Sequence, residues 1–234
     1  MTEGAGARTP RRERVRTSTI EEIKATAGRL MAETGTLDVT FTDIARAMGM
    51  TSPALYRYFG DRDALLTALI GDAFKSMATA MADGRDSAAP HDAWARFSGL
   101  ARAVRSWALE DPIRYALIFG TPIPGYAAPE DGETTMSAKQ AMHELVAIMM
   151  DARDHGQLQT SPIDVRGTEL NDHLEMPDIP VAWHQSMMQT WMGMHGFVSL
   201  EAFGHLSMMP VAARDSLYEA QIRLHGLVMG LTAG

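Results

Sequence analysis

The sequence contains no cysteine. That excludes disulfides, thiolate zinc and iron–sulfur sites, a cysteine nucleophile and a thiol redox sensor, and it suits a reducing, cytoplasmic setting. Lysine is scarce as well: of 21 basic residues only Lys24, Lys75 and Lys139 are Lys, a bias that reads as codon usage rather than function. Residues 1–18 are charged and rich in Gly and Thr, with no apolar stretch, so no signal peptide is expected. A charge-free run over 179–200 reaches the length of a membrane span. It holds His184, Gln185, Ser186, Gln189, Thr190 and His195 and no Leu/Ile block, so a buried helix is expected there and no membrane partner. No P-loop, Gly-x-Ser-x-Gly or Gly-rich dinucleotide motif occurs, and no internal repeat. His143–Glu144 opens like a zincin motif, but the fifth position is Ala147. Asp151, Asp154 and His155 have acid–imidazole spacing and read as a solvated helix end. His184 and His195 share a helix face but stand about 16 Å apart along it, too far for one metal. No catalytic residue, metal or cofactor is therefore expected.

What is present describes a globular chain of one or two domains: 234 residues, 46% hydrophobic and 21% charged. The net charge of −8 argues against indiscriminate nucleic-acid binding, but it is unevenly spread. Residues 1–70 carry ten basic and nine acidic groups, the remainder eleven and twenty. Arg8, Arg11, Arg12, Arg14 and Arg16 crowd the first sixteen positions. A basic arm and near-neutral head on an acidic body point to an anionic partner for the head. Methionine is abundant, 18 residues, which suits irregular cores and permissive binding surfaces.

Apolar residues recur at three and four rather than two, so the fold class is all-α. Nine helices are expected at about 18–34, 41–48, 52–58, 62–83, 91–109, 112–119, 135–155, 179–206 and 212–231. Ser18 or Thr19 would cap the first, Thr40 the second, Asp61 the fourth, and Gly35, Gly49, Gly84 and Gly156 would end helices. Long loops are expected at 120–134 and 157–178. The charge shift divides the chain into a flexible arm (1–17), a head (18–70) and a body (71–234).

Residues 41–60 carry the chemistry. Ile44, Met48, Met50, Leu55 and Tyr58 occupy the core-facing positions of a helix-turn-helix. Ala45 is small where two backbones must approach, and Gly49 supplies the turn. Thr40 and Thr51 can cap the two helices, and Pro53 sits where a missing N–H costs nothing. In such a unit the second helix enters the major groove and the first crosses the backbone. Thr51, Ser52, Ala54, Tyr56, Arg57 and Tyr58 would then face DNA. Hydroxyls and Arg57 can donate to phosphates or bases, and Ala54 can meet a thymine methyl. Thr42, Arg46 and Arg62 flank the unit as phosphate donors.

The stretch TFTDIARAMGMTSPALYRYFGDRDALLTALI resembles the DNA-binding head of the tetracycline-repressor (TetR) family over about 18–70. By that resemblance Thr42 is a phosphate contact, and Ser52, Pro53 and Ala54 form the base-facing start of the recognition helix. Tyr56 and Tyr58 are its aromatic and hydroxyl contacts, and Arg62 is the basic phosphate clamp, usually Lys. DPIRYALIFGTPIPGYAAP and WMGMHGFVSLEAFG, with Trp191, His195 and Gly196, are similar to one C-terminal subclass of these regulators. The resemblance implies a helical body enclosing a pocket and a homodimer through the last two long helices. Without it, the helix at 179–206, uncharged for about six turns over 179–200, and Leu217, Leu224, Leu227, Val228 and Leu231 of the next already exceed what one core needs. The pocket is expected at Trp107, Tyr115, Phe119, Trp183, Met187, Met188 and Trp191, with plain core as the competing role for each. The expected function is a cytoplasmic, homodimeric repressor, not an enzyme, released from palindromic double-stranded operator DNA by a small, largely apolar effector. The alternative is a helical enzyme or small-molecule carrier that retains the head.

Overall fold

The computed structural model describes residues 11–123, 125–128, 132–159 and 180–232. Among these the chain forms nine helices and no strand, as the periodicity requires. They are α1 (Arg11–Thr34), α2 (Phe41–Ala47), α3 (Ser52–Leu55), α4 (Arg62–Asp86), α5 (Ala93–Glu110), α6 (Pro112–Phe119), α7 (Glu133–Asp154), α8 (Val181–Ala202) and α9 (Val211–Val228). No described helix is long and apolar enough to cross a membrane.

Side-chain caps open four of the nine described helices, while Thr51 at the start of α3 makes no cap hydrogen bond. Thr40 and Asp43 make a reciprocal capping box: the Asp43 N–H donates to Thr40 Oγ1 at 3.2 Å and the Thr40 N–H to Asp43 Oδ2 at 3.4 Å. Asp61, Asp92 and Asp111 each accept a backbone N–H three residues on, at 2.7, 2.9 and 2.9 Å, and so open α4, α5 and α6. Gly49 follows α2 with φ +64°, a conformation that costs a side chain dearly and Gly nothing.

Five boundaries, in α1, α3, α4, α8 and α9, differ from expectation. First, α1 begins by Arg11, so residues 11–17 are helix rather than flexible arm, and Ser18 and Thr19 lie inside it. The Thr17 and Thr19 hydroxyls donate back to the carbonyls of Glu13 and Val15, which satisfies them within the helix. Arg8 lies outside the described residues. Second, α3 is one turn long; beyond Leu55 the chain tightens to three-residue hydrogen bonds, Arg57 N–H to Ala54 and Tyr58 N–H to Leu55. Third, α4 does not stop at Gly84. A Cβ on Gly99 would lie 2.2 Å from the Gly84 carbonyl oxygen, so this glycine pair marks where α4 and α5 touch backbone to backbone. Fourth and fifth, α8 ends at Ala202 and α9 at Val228, each short of the expected end. Gln157–Gln159 instead run beside 230–232, with the Gln159 N–H donating to Gly230 O at 2.8 Å; the rest of the 157–178 loop from Thr160 onward lies outside the described residues.

Two cores result, and α4 serves both. Leu65, Leu66 and Leu69 from its first turns pack with Ile23, Ala27, Met31, Ile44, Leu55 and Phe59 in the head. Met77, Ala78 and Met81 further along join Phe97, Val104, Leu145, Met149, Met194 and Tyr218 in the body. At 25 residues, about 37 Å, α4 reaches from one core into the other. Behind it, α6 bridges the two: Ile113 and Leu117 lie against the head core while Tyr115 is buried in the body core.

Candidate nucleic-acid interface

The helix-turn-helix is assembled as its spacing requires. Ile44, Ala45 and Leu55 are fully buried; Met48, Met50 and Tyr58 are half-buried around the same core. The opposite surface carries the residues expected to meet nucleic acid. Thr42, Arg46, Thr51, Pro53, Tyr56 and Arg57 are exposed, and Ser52, Ala54, Tyr58 and Arg62 are half-buried. Tyr56 is held as a platform: 56% exposed, its ring tilted on Phe41 at 5.0 Å. Arg46 reaches only the edge of Asp43 at 3.5 Å and remains open to an anion.

Two of the expected donors are tied. Arg62 donates to Asp38 at 3.1 Å, so a phosphate there must displace or share the guanidinium. Arg16, assigned by sequence to a flexible arm, is part of the site. It donates to the Arg57 carbonyl at 3.0 Å, and its guanidinium lies 5.7 Å from the centre of the Tyr58 ring. Its role was hidden because the contact spans 41 residues; the only sequence signal is the Arg cluster itself. The helical extension also carries Arg11, Arg12 and Arg14 in exposed positions.

In the body, the structure divides the seven residues expected to line a pocket. Trp107, Tyr115, Phe119 and Trp191 join His195 and Phe203 in one aromatic cluster. Tyr115 stands 6.3 Å from Trp107, 5.1 Å from Phe119 and 5.7 Å from Phe203 between ring centres. The His195 ring lies 4.0 Å from Phe119 and 4.2 Å from Trp191. The Tyr115 hydroxyl lies 2.7 Å from Ser199 Oγ and 3.4 Å from His195 Nδ1, while His195 Nε2 has no hydrogen-bond partner among the described residues. Burial pushes the His195 imidazole down to about 4, so it is neutral at ordinary pH. Burial also raises the Tyr115 phenol. Trp183, Met187 and Met188 lie nearer the start of α8; Met187 is fully buried, and Trp183 packs on the body core.

Beside this cluster opens a cleft of about 1230 Å³ between head and body. The head contributes Gly35–Asp38 and Arg62; the body contributes α6, residues 119–123 and residues 202–205. Of the seven expected residues only Phe119 lines it.

Residues 23–69 match the family model "Bacterial regulatory proteins, tetR family", and residues 97–225 match "Tetracyclin repressor-like, C-terminal domain". The chain belongs to the TetR family. A relative of known description, the HTH-type transcriptional regulator Rv1816 of Mycobacterium tuberculosis, is 32% identical over 203 residues, covering 84% of this chain and 86% of its own. The crystal structure of the protein SCO4313 is 37% identical and superimposes with a TM-score of 0.71, covering 93% of this chain and 98% of that one. RolR, solved with its ligand resorcinol, shares the fold at 16% identity and a TM-score of 0.55, over 93% and 92% of the two chains. This TetR-family chain is a DNA-binding transcriptional regulator, and the exposed hydroxyl and guanidinium groups of α2, α3 and the turn after α3 form its candidate DNA face.

Proposed function

We propose that the chain is a repressor that binds a palindromic operator as a homodimer in the cytoplasm and is released by a small apolar effector. The observation that carries the DNA reading is the face formed by Thr42, Arg46, Thr51, Tyr56 and Arg57. These are exposed donors around one rigid turn, backed by Arg16, on an otherwise acidic molecule. Phosphate contacts from Arg46, Arg62 and the α1 arginines position the unit, while Ser52, Pro53, Ala54 and Tyr56 meet base edges.

The dimer reading rests on the faces that α8 and α9 leave uncovered. Met192, Leu200, Leu217, Leu224 and Leu227 are each about half-exposed. Apolar surface of that kind on two long helices marks a partner. An identical partner sets the two recognition turns one helical turn of DNA apart, about 34–36 Å.

The effector reading rests on the cleft. Its walls are Leu37, Pro112, Ile113, Ala116, Phe119, Pro122, Ile123 and Phe203, with the Asp38–Arg62 pair and His205 as polar fixtures. A guest there touches head and body at once. It presses on Phe119, behind which Tyr115, Trp191 and His195 are stacked. Guests that favour one head–body arrangement shift operator affinity by the difference of their affinities, typically about 1–3 kcal/mol.

The test is selection from a random duplex pool, then calorimetric titration of a releasing compound with and without the selected operator. A palindromic consensus, and weaker ligand binding on the operator complex, are expected. Failure to select any sequence overturns the repressor reading and leaves a carrier or enzyme. Equal ligand affinity in both titrations overturns release by an effector.

A further inference from the structure

The geometry points to a divalent metal site at the far end of the body, formed by His91, Asp151 and His155; we propose that it takes a transition-metal ion of the zinc class. It is independent of the DNA and effector readings.

Asp151 and His155 lie one turn apart at the end of α7, while His91 arrives from the corner between α4 and α5, sixty residues earlier. His91 Nδ1 stands 2.9 Å and His155 Nδ1 3.3 Å from the same oxygen, Asp151 Oδ1. The three candidate ligand atoms all lie within 4.8 Å of one another. Metal–ligand bonds of about 2.0–2.1 Å at tetrahedral angles put ligand atoms about 3.3–3.4 Å apart. The two Asp151 edges are thus already close to coordination distances.

Three further observations support a built site. His91 is the one described non-glycine residue with positive φ, +61°, directly after Pro90. That backbone conformation brings the ring back over α7, where it stacks on His155 with centres 3.8 Å apart. Second, the other carboxylate oxygen, Asp151 Oδ2, accepts from Arg96 Nη1 at 3.2 Å, and Arg96 Nη2 donates to Asp86 at 3.2 Å. Such outer hydrogen bonds orient a ligating carboxylate and leave one oxygen for the ion. Third, the Ala93 N–H donates to Gln157 Oε1 at 3.1 Å, which ties the same corner to the chain just after α7.

Two imidazoles and one carboxylate select zinc, nickel or copper over magnesium or calcium, which prefer all-oxygen shells. His91 and His155 are about half-exposed on the surface, so a water completes the shell. Bound metal clamps the α4–α5 corner to the end of α7, adding to the Arg96–Asp151 ion pair, the stacked imidazoles and the hydrogen bonds that already join them. His155 Nδ1 also lies 2.9 Å from the Asp151 carbonyl oxygen, so metal binding through this atom displaces that local bond; binding through Nε2 retains it.

The experiment uses the full-length, tag-free chain, stripped with chelator and titrated calorimetrically with zinc chloride and with magnesium chloride. One zinc per chain and no magnesium binding are expected, with a higher melting temperature in zinc. His91→Gly, which suits the positive φ, His155→Ala and the near-isosteric Asp151→Asn should each weaken zinc at least tenfold. His143→Ala should not. Cobalt substitution should give an intense visible band in the wild type that each of the three variants loses. Zinc affinity unchanged in those variants means the ion is held elsewhere and overturns the proposal. So does a wild type that binds no zinc at micromolar concentration, which leaves the cluster as two histidines hydrogen-bonded to a carboxylate.

Discussion

Tyr56 and Arg57 sit on the exposed side of the turn that follows α3, and only the Tyr56 ring touches the core, at Phe41. Tyr56→Ala and Arg57→Ala should therefore keep the head folded by circular dichroism. Each should weaken operator binding, read by fluorescence anisotropy, by about 1–3 kcal/mol. Tyr56→Phe separates the hydroxyl from the ring, because it preserves the packing on Phe41. At the same scale His195 makes stability depend on pH. The unfolded imidazole takes up a proton below its ordinary 6.5, whereas the buried one does so only near 4. Between those values the unfolded chain binds more protons, so stability is intact above about pH 6.5 and falls as the pH drops toward 4. The loss reaches up to about 3 kcal/mol from this residue alone. Urea unfolding between pH 4.5 and 7.5 should show a shallower decline for His195→Gln than for the wild type; identical slopes would remove His195 as the cause.

At the scale of elements, caps and glycines set where helices begin and how closely they pass. Gly49 and Gly99 are required for different reasons, and the two alanine variants should show it. At Gly49 nothing lies within 4 Å of an added Cβ, so Gly49→Ala meets only the strain of φ +64°, about 1–2 kcal/mol. At Gly99 the added Cβ would run into the Gly84 backbone at 2.2 Å, and backbone cannot rotate away. Gly99→Ala should therefore cost more, at or beyond the top of the usual overpacking range of about 1–3 kcal/mol. Its loss should appear in the melting of the body, whereas that of Gly49→Ala should appear in the head. Equal, small losses would mean that α4 and α5 slide apart freely. The caps at Thr40 and Asp61 and the Gly49 turn are readable from local order because each acts within four residues. Gly84 was misread as a stop because a glycine at a helix crossing and one at a helix end look the same in one dimension.

For the whole molecule, the question is what covers α8 and α9. Leu224→Glu and Leu227→Glu place a charge on surface that one chain leaves half-open, so each monomer should still fold. Sedimentation should show the dimer lost, and operator affinity should collapse because two half-sites are no longer held together. Val198 is a poor test, since it is fully buried within one chain and a charge there attacks the body core. A wild type that sediments as a monomer at micromolar concentration would rule the dimer out. Within one chain, the last helices are fastened by ions. Buried Glu201 on α8 accepts from Arg105 of α5 at 2.6 and 2.8 Å, and Arg105 also reaches Asp215 of α9 at 2.7 Å. Desolvation makes an unpaired Glu201 costly, so this pairing fixes how α8 and α9 lie on α5.

The sequence alone determined the all-α class, the helix-turn-helix at 41–60 and its core positions. Helical periodicity, capping and turn chemistry all act over three to seven neighbouring residues, and the family motif lies within that reach. Tertiary structure decided everything carried by contacts between distant segments. It made α4 a member of two cores, drew Arg16 onto the recognition turn and tied Arg62 to Asp38. It stacked Trp107, Tyr115, Phe119 and Trp191 around His195, opened the cleft between head and body, and brought His91 to Asp151 and His155. Spacing along a chain records which residues share a helix face; only packing determines which faces meet.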